Sequence, residues 1–540
     1  MKLNKAVLLN ENKNEWLERG FKLPQFDFDA VKSNTLKKPR WIHFGAGNIF
    51  RAFPAVVLQK MLNSNETDTG IIAVEGFDFE IIDNIYRPHD NLSLVVTLNA
   101  DGTIDKEVVA SVVDSVVMDR SRVGDFERLK EIFRKDSLQM ASFTITEKGY
   151  SVTDTKGEYH KAIADDFELG PYKAKTYMGQ VASLCYERFK TSGAPIALVS
   201  MDNFSHNGEK LRYAITTFAA KWAEASFVPK SFCEYIEDDA KVSFPWSMID
   251  KITPRPDAQV AESLLAEGFE DAEIVVTSKN TYIAPFVNAE RAEYLVIEDN
   301  FPAERIALEK GGVKFAERKI VDKCDRMKVC SCLNPLHTAL AVFGCLLSFN
   351  KIYEEMQDET LRKLVFDMGY KECLPVVDNP GIIEPNEFIK EVLYERIPNP
   401  FMPDTPQRIA TDTSQKIPVR FGETIKSYLN SKNLNVKELK YIPLVLAGWC
   451  RYLMGVDDLG NTFTVSPDPL YEELKQYVKD IKIGDSGDFS SKLSPILSNS
   501  KIFGVNLEEI GIAQTVCEYF EEFVSEPGAV RKTLKKYVGI

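Results

Sequence analysis

From residue 41 onward the chain alternates short apolar runs with amphipathic stretches. Trp41-Ile-His-Phe44 is an apolar run that ends in glycines and passes into a helical pattern over residues 48–63. Gly70–Glu75 is the next apolar run, so the segment reads as a βαβ opening. Further strand-like runs lie at Leu92–Leu98, Val108–Val117, Met140–Thr146 and Ile196–Met201, with helical periodicity at Val123–Phe133 and Tyr177–Lys190. This alternation predicts a mostly parallel sheet with helices on its faces. Residues 1–38 read as a polar, irregular extension. After Tyr294–Asp299 the pattern changes. From about residue 306 it is helical, with amphipathic stretches at Asp358–Met368, Asn386–Glu395, Tyr441–Met454, Pro469–Ile481 and Leu507–Phe523. A chain of 540 residues is too long for one core. The expected division is an α/β domain over 1–305 and a mainly α-helical domain over 306–540.

The glycines after the first strand give the α/β domain a Rossmann-type character. Gly45 and Gly47 permit a tight turn and let backbone approach a pyrophosphate at the start of the next helix. An acid beyond the second strand, Glu75 or Asp78, is placed to accept ribose hydroxyls, which favours NAD over NADP. Phe50 stands where the usual fingerprint has its third glycine, so this motif alone also fits an ordinary strand-to-helix turn. Two other strand ends carry polar clusters, Thr146-Glu-Lys148-Gly-Tyr150 and Asp202-Asn203-Phe-Ser-His206-Asn207-Gly208, and ligands bind at such ends.

Charge narrows the partners. A net charge of −14 argues against nucleic acid or an anionic membrane, while leaving room for an anionic small molecule that answers to local charge. The longest apolar run, Thr338–Leu347, is far shorter than the roughly 20 residues of a spanning helix. The first residues have no signal-peptide pattern. Nine scattered cysteines suit a reducing compartment, and their spacing matches no zinc pattern, so a cytoplasmic protein is expected. The chemically distinctive stretch is Lys328-Val-Cys-Ser-Cys-Leu-Asn334-Pro-Leu-His337, which opens into a long apolar run. Burial at the mouth of a core helix moves a lysine toward neutrality, where it can exchange a proton. Asn334 followed by Pro335 reads as a helix start.

Taken together, seven segments in order resemble the long-chain polyol (mannitol) dehydrogenase/reductase family. They are Gly45–Ala52, Thr146–Tyr150, Asp202-Asn203 with Asn207-Gly208, Met248–Pro254, Val296–Asp299, Asn334–His337, and Arg408–Asp412 with Ser414–Pro418. The resemblance implies a Rossmann-type domain that binds NAD, a helical domain with most of the catalytic groups, and no metal. The family's general acid/base falls on Lys328, and the groups that polarise the reacting oxygen fall on Asn334 and His337. Its substrate contacts fall on Asn203, Asp250, Arg408 and Lys416. The cofactor contacts expected from the glycine turn and the strand ends are Gly45, Gly47, Asn48, Ile49, Arg51, Thr146 and Lys148, with Glu75 and Asp78 competing for the ribose. Arg51 and Lys148 serve equally well for cofactor phosphates, a substrate carboxylate or the surface. The substrate class implied is a sugar acid or polyol. The cations Arg51, Lys148, Arg408 and Lys416 favour the acid, with fructuronate reduction to mannonate ahead of tagaturonate reduction and mannitol oxidation. A non-catalytic NAD-binding scaffold is the alternative from another class. One departure has a geometric consequence: five residues separate Lys328 from Asn334 where the family has four. On a regular helix Lys328 and His337 would point about 180° apart. A π-bulge or a helix break before Asn334 is therefore expected, eased by Pro335, which removes the bond that the Ser331 carbonyl would accept.

Overall fold

The computed structural model describes residues 1–540, the side chain of Asn10 aside. The chain forms two compact units, residues 1–99 with 103–322, and residues 100–102 with 323–540.

The first unit is built on six strands: β1 (Trp41–Phe44), β2 (Ile71–Glu75), β3 (Val112–Val117), β4 (Met140–Phe143), β5 (Ile196–Ser200) and β6 (Val242–Ser243). They lie in the order β3-β2-β1-β4-β5-β6, and every neighbouring pair is parallel. The order reverses between β1 and β4, and ligands of such sheets bind at that reversal, beyond the carboxyl ends of the strands. Strands β1, β2, β4 and β5 are buried along their whole length, which is why they read as unbroken apolar runs rather than alternating ones.

Several local expectations are corrected. Residues 1–38 are ordered, with helices at Asn10–Glu18 and Phe28–Lys37, and Trp16 and Phe21 packing edge-on at 5.0 Å. The run Val108–Val117 is two strands, Ile104–Val109 and β3, which belong to different sheets. The break falls at Ala110-Ser111, where Gln59 takes the Ala110 N–H at 2.7 Å and Ser111 donates to the Ala55 carbonyl at 2.6 Å. Leu92–Leu98 likewise leaves the main sheet. Its strand Ser93–Leu98 pairs antiparallel with Ile104–Val109 and parallel with Phe286–Glu290. The helix expected over 48–63 is broken into α1 (Asn48–Ala52) and α2 (Pro54–Asn63). Pro54 crowds the backbone before it, and Phe53 sits at φ −134°, ψ −75°, outside the helical well.

The second unit is helical. Its core helix α3 (Asn334–Leu346) packs against Tyr441–Tyr452, itself packed against Ala513–Val524. Three helices are shorter than the periodicity implies: Tyr441–Tyr452 against 441–454, Tyr471–Val478 against 469–481, and Ala513–Val524 against 507–523. The helical run from Arg318 to Leu346 is long and apolar enough to cross a bilayer, but 78% of its most apolar window is buried inside the protein, as a core helix is.

Beneath α3 lies an unusual group. Glu355, on α4 (Ile352–Gln357), is fully buried against Gly344, and neither carboxyl oxygen meets a hydrogen-bond partner. Burial, with Asp358 and Glu354 adding to it, pushes this carboxyl well above the usual range. The unfolded chain ionises first, so Glu355 costs stability increasingly as pH rises from the unfolded value towards the folded one. Glu355→Gln is expected to raise Tm at about pH 8 by roughly 2–4 °C, with the gain vanishing near about pH 4, as read by calorimetry. A gain that does not change with pH would contradict this.

Candidate functional site

In the first unit the site begins where β1 ends. Gly45 has φ +98°, and a Cβ there would run into the Thr144 carbonyl, so only glycine fits the turn. Gly47 immediately precedes α1, and a Cβ built on it meets nothing within 4 Å. The turn therefore leaves open space beside its backbone at Gly47; Asn48 and Ile49 follow it half-buried, and no side chain caps α1.

The two acids that compete in the sequence are used differently. Glu75 accepts from the N–H groups of Ala46 at 2.9 Å, Gly76 at 3.0 Å, Phe77 at 2.9 Å and Asp78 at 3.2 Å, and so pins the glycine turn to the end of β2. Its burial raises its pKa against those same bonds. Asp78 accepts from the Thr277 hydroxyl at 2.7 Å through one oxygen, and its other oxygen, also buried, has no partner. Asp78 is the acid with capacity left.

Arg51, expected at the cofactor, has its side chain drawn into the fold. It is 1% exposed, and its guanidinium donates to Ser93 Oγ at 3.0 Å and the Pro285 carbonyl at 2.8 Å, joining α1 to the second sheet. Lys148 lies exposed on the short helix Thr146–Gly149. Thr146 has φ +64°, held by its N–H donating to Asp202 Oδ1 at 2.9 Å. Asp202 also accepts from Ile145 N–H at 2.8 Å and the Tyr150 hydroxyl at 2.6 Å, so it ties the loop after β4 to the loop after β5. Asn203 follows it and is exposed. The Asn207 amide donates to the Asp202 carbonyl at 2.9 Å and the Ser247 carbonyl at 3.0 Å, and accepts from Ser247 N–H at 3.0 Å. It thereby couples Asn203's loop to the strand Ser247–Asp250, which ends in the buried Asp250.

In the second unit the expected irregularity is present. Met327–Cys332 is a π-helical turn, closed by Leu333 N–H donating to the Lys328 carbonyl at 3.2 Å. Leu333 then leaves the helical well at φ −129°, ψ −63°, and α3 starts at Asn334. The surplus residue is absorbed just ahead of Pro335. Lys328 is 3% exposed, and its ammonium is 3.5 Å from Asp325 Oδ1.

Around His337 the second unit gathers cations. Burial first, then the charges of Arg420, Arg408, Arg396 and Lys416, push the imidazole down to about 3, so it is neutral throughout the working range. Its Nε2 is 3.6 Å from Asp404 Oδ2, and the other Asp404 oxygen accepts from Arg408. Arg420 donates to Thr338 Oγ1 at 2.5 Å, and Thr338 donates in turn to the Asn334 carbonyl at 2.9 Å. Lys416 donates to the carbonyls of Ile409 and Thr411; burial, Arg420 and Arg408 lower it to about 8. The structure thus brings His337, Arg408 and Lys416 into one cationic environment. Arg396, Asp404, Arg420 and Asp325 belong to it or to Lys328 and were not singled out in the sequence. The spacing of Arg420, four residues after Lys416, is the one available signal. Among the described residues no group of three or more His, Cys, Asp or Glu is arranged to hold a metal.

Comparison with known proteins agrees with this architecture. The mannitol dehydrogenase Rossmann domain matches residues 39–310, and the mannitol dehydrogenase C-terminal domain matches residues 321–523. A D-mannonate oxidoreductase of Thermotoga maritima is 52% identical over 541 residues, covering 100% of this chain and 99% of the relative. A mannitol 2-dehydrogenase of Emericella nidulans is 29% identical, covering 99% and 98%. Among solved structures, the Pseudomonas fluorescens mannitol 2-dehydrogenase ternary complex with NAD and D-mannitol aligns with a TM-score of 0.69 at 25% identity, covering 100% of both chains. A substrate-free D-sorbitol dehydrogenase shares the fold, with a TM-score of 0.78 at 23% identity, covering 98% of this chain and 99% of that one. The chain belongs to the mannitol dehydrogenase family.

Proposed function

We propose that the chain is an NAD(H)-dependent oxidoreductase that interconverts D-fructuronate and D-mannonate. The observation that carries this is the set of cations at His337. The charges of Arg420, Arg408, Arg396 and Lys416 act on the neutral imidazole, with Arg408 paired to the Asp404 carboxylate beside it and Arg420 bonded to Thr338, a field that suits a substrate bearing a carboxylate better than a neutral polyol. The 52% identical relative, named a D-mannonate oxidoreductase, points the same way.

The residues fit the cofactor. The glycine turn is open at Gly47, and Asp78 keeps a buried oxygen without a partner, suited to a ribose hydroxyl and hostile to a 2′-phosphate. When bound, NADH supplies the hydride. Negative charge then grows on the ketone oxygen; Asn334 and His337 stabilise it as donors, and the Lys328 ammonium delivers the proton that completes the alcohol. In the oxidative direction a neutral Lys328 takes that proton back. Asn203 and Asp250 hold substrate hydroxyls, and Arg408 with Lys416 holds the carboxylate. Nine free thiols, eight of them buried, suit the cytoplasm.

Steady-state kinetics with NADH against fructuronate, tagaturonate and fructose test the reading. Fructuronate is expected to have the highest kcat/KM. Clear preference for fructose would move the chain to the mannitol 2-dehydrogenase reading, and no turnover of any of the three would favour the non-catalytic scaffold.

A further inference from the structure

Directly beneath the glycine turn, β1, β4 and the half-buried Thr144 that follows β4 hold a row of polar side chains that no part of the proposed reaction uses. Trp41 Nε1 is 2.7 Å from Ser142 Oγ. Ser142 Oγ is 2.6 Å from His43 Nδ1, and His43 Nε2 is 2.9 Å from Thr144 Oγ1. Thr144 Oγ1 is 3.0 Å from the Gly45 carbonyl oxygen.

The direction of every bond in this row can be worked out. An indole N–H only donates, and a carbonyl only accepts. Thr144 has one hydroxyl proton, and it is directed to the Gly45 carbonyl 3.0 Å away. Thr144 Oγ1 must then accept from His43, which places the imidazole proton on Nε2. His43 Nδ1 is left as an acceptor and takes the Ser142 proton, while Ser142 Oγ accepts from Trp41. The donors therefore run in one sense, Trp41 to Ser142 to His43 to Thr144 to Gly45. His43 is fully buried and stacks on Phe50 with ring centroids 4.0 Å apart and planes 7° apart. Burial pushes its pKa down to about 3, so the ring carries a single proton at working pH.

We propose that His43 is a positioning residue for the dinucleotide, locking the Gly45 carbonyl through Thr144 and so fixing the turn whose backbone faces the pyrophosphate. Gly45 and the end of β4 approach so closely that a Cβ cannot fit between them, so a displaced Thr144 must displace the turn. This inference rests on the reading that the turn holds NAD. A His43 that is only a core residue would affect stability and leave cofactor affinity alone.

The test uses the full chain. His43→Phe keeps the stacking on Phe50 and removes both ring bonds; Thr144→Val cuts the chain one link later, and Thr144→Ser keeps the hydroxyl. NADH titrations are expected to show Kd raised about tenfold in H43F and in T144V, the loss of one or two buried hydrogen bonds. The double variant should be no worse than either single one, because both break the same chain. T144S should bind nearly as the unmodified protein does, and the KM for the sugar acid should not move in any variant. Nitrogen-15 spectra of the imidazole should show the Nε2-protonated tautomer, unchanged between about pH 5 and pH 9. An Nδ1-protonated ring, or T144V or H43F binding NADH with undiminished affinity while Tm falls, would overturn the proposal and leave the cofactor reading standing. Failure of the unmodified protein to bind NADH would remove both. Should H43F not fold, the Thr144 pair and the tautomer decide the matter.

Discussion

Lys328→Ala is expected to lower kcat for ketone reduction by about 10²- to 10⁴-fold, the usual contribution of a positioned general acid, while the Kd for NADH stays within about twofold. Lys328 sits in the π-helical turn with its side chain 3% exposed, so no bulk water stands ready to replace the ammonium as proton donor. Its ammonium lies 3.5 Å from Asp325 Oδ1, a carboxylate that can hold it in place. A buried lysine also fills volume, so alanine removes packing along with the proton. Lys328→Met keeps most of that volume and separates the two effects: both variants should lose the same rate, and only alanine should lose appreciable stability. A variant that keeps more than about a tenth of the rate would show that the proton comes from elsewhere.

How much of this was legible beforehand depends on whether the cause is local. The parallel sheet was readable because strands buried on both faces leave continuous apolar runs, and β1, β2, β4 and β5 fall where those runs lie. The π-helical turn was readable from a count of residues, since one surplus residue before Pro335 must be stored somewhere. What failed depended on distant partners. Nothing near Ala110 shows that Gln59, from α2, ends a strand there. Arg51 beside a glycine turn reads as a phosphate ligand; only the positions of Ser93 and Pro285 reveal it as a cross-link. Glu75 and Asp78 could not be ranked, because the four backbone N–H groups that occupy Glu75 are defined by the folded turn itself. Asp404 lies between Pro403 and Pro406 and reads as an ordinary loop acid, although folding sets it between His337 and Arg408.

Arg408→Leu is expected to raise the KM for a hexuronate by about 10- to 100-fold, the value of a charge-assisted hydrogen bond, and to change the KM for fructose by less than about threefold. The loss should sit toward the upper end, because the variant also strips Asp404 of its guanidinium and leaves that carboxylate to repel the anion. Arg408→Lys should fall between, keeping the charge and losing the planar fork. The same set of cations sets a pH dependence. Lys416 is lowered to about 8 by burial and by Arg420 and Arg408. Its charge is therefore present below about pH 8 and is lost above it, so the KM for the anion should climb on the alkaline side while that for fructose stays level. Lys416→Arg should abolish the climb, since a guanidinium remains charged there. Arg408→Leu removes one of the cations that depress Lys416, so the break should move to higher pH in that variant even as affinity falls. A hexuronate KM that is flat to about pH 9.5 in the unmodified protein would show that Lys416 does not face the carboxylate, and a break that stays in place in Arg408→Leu would show that the two cations do not share one field.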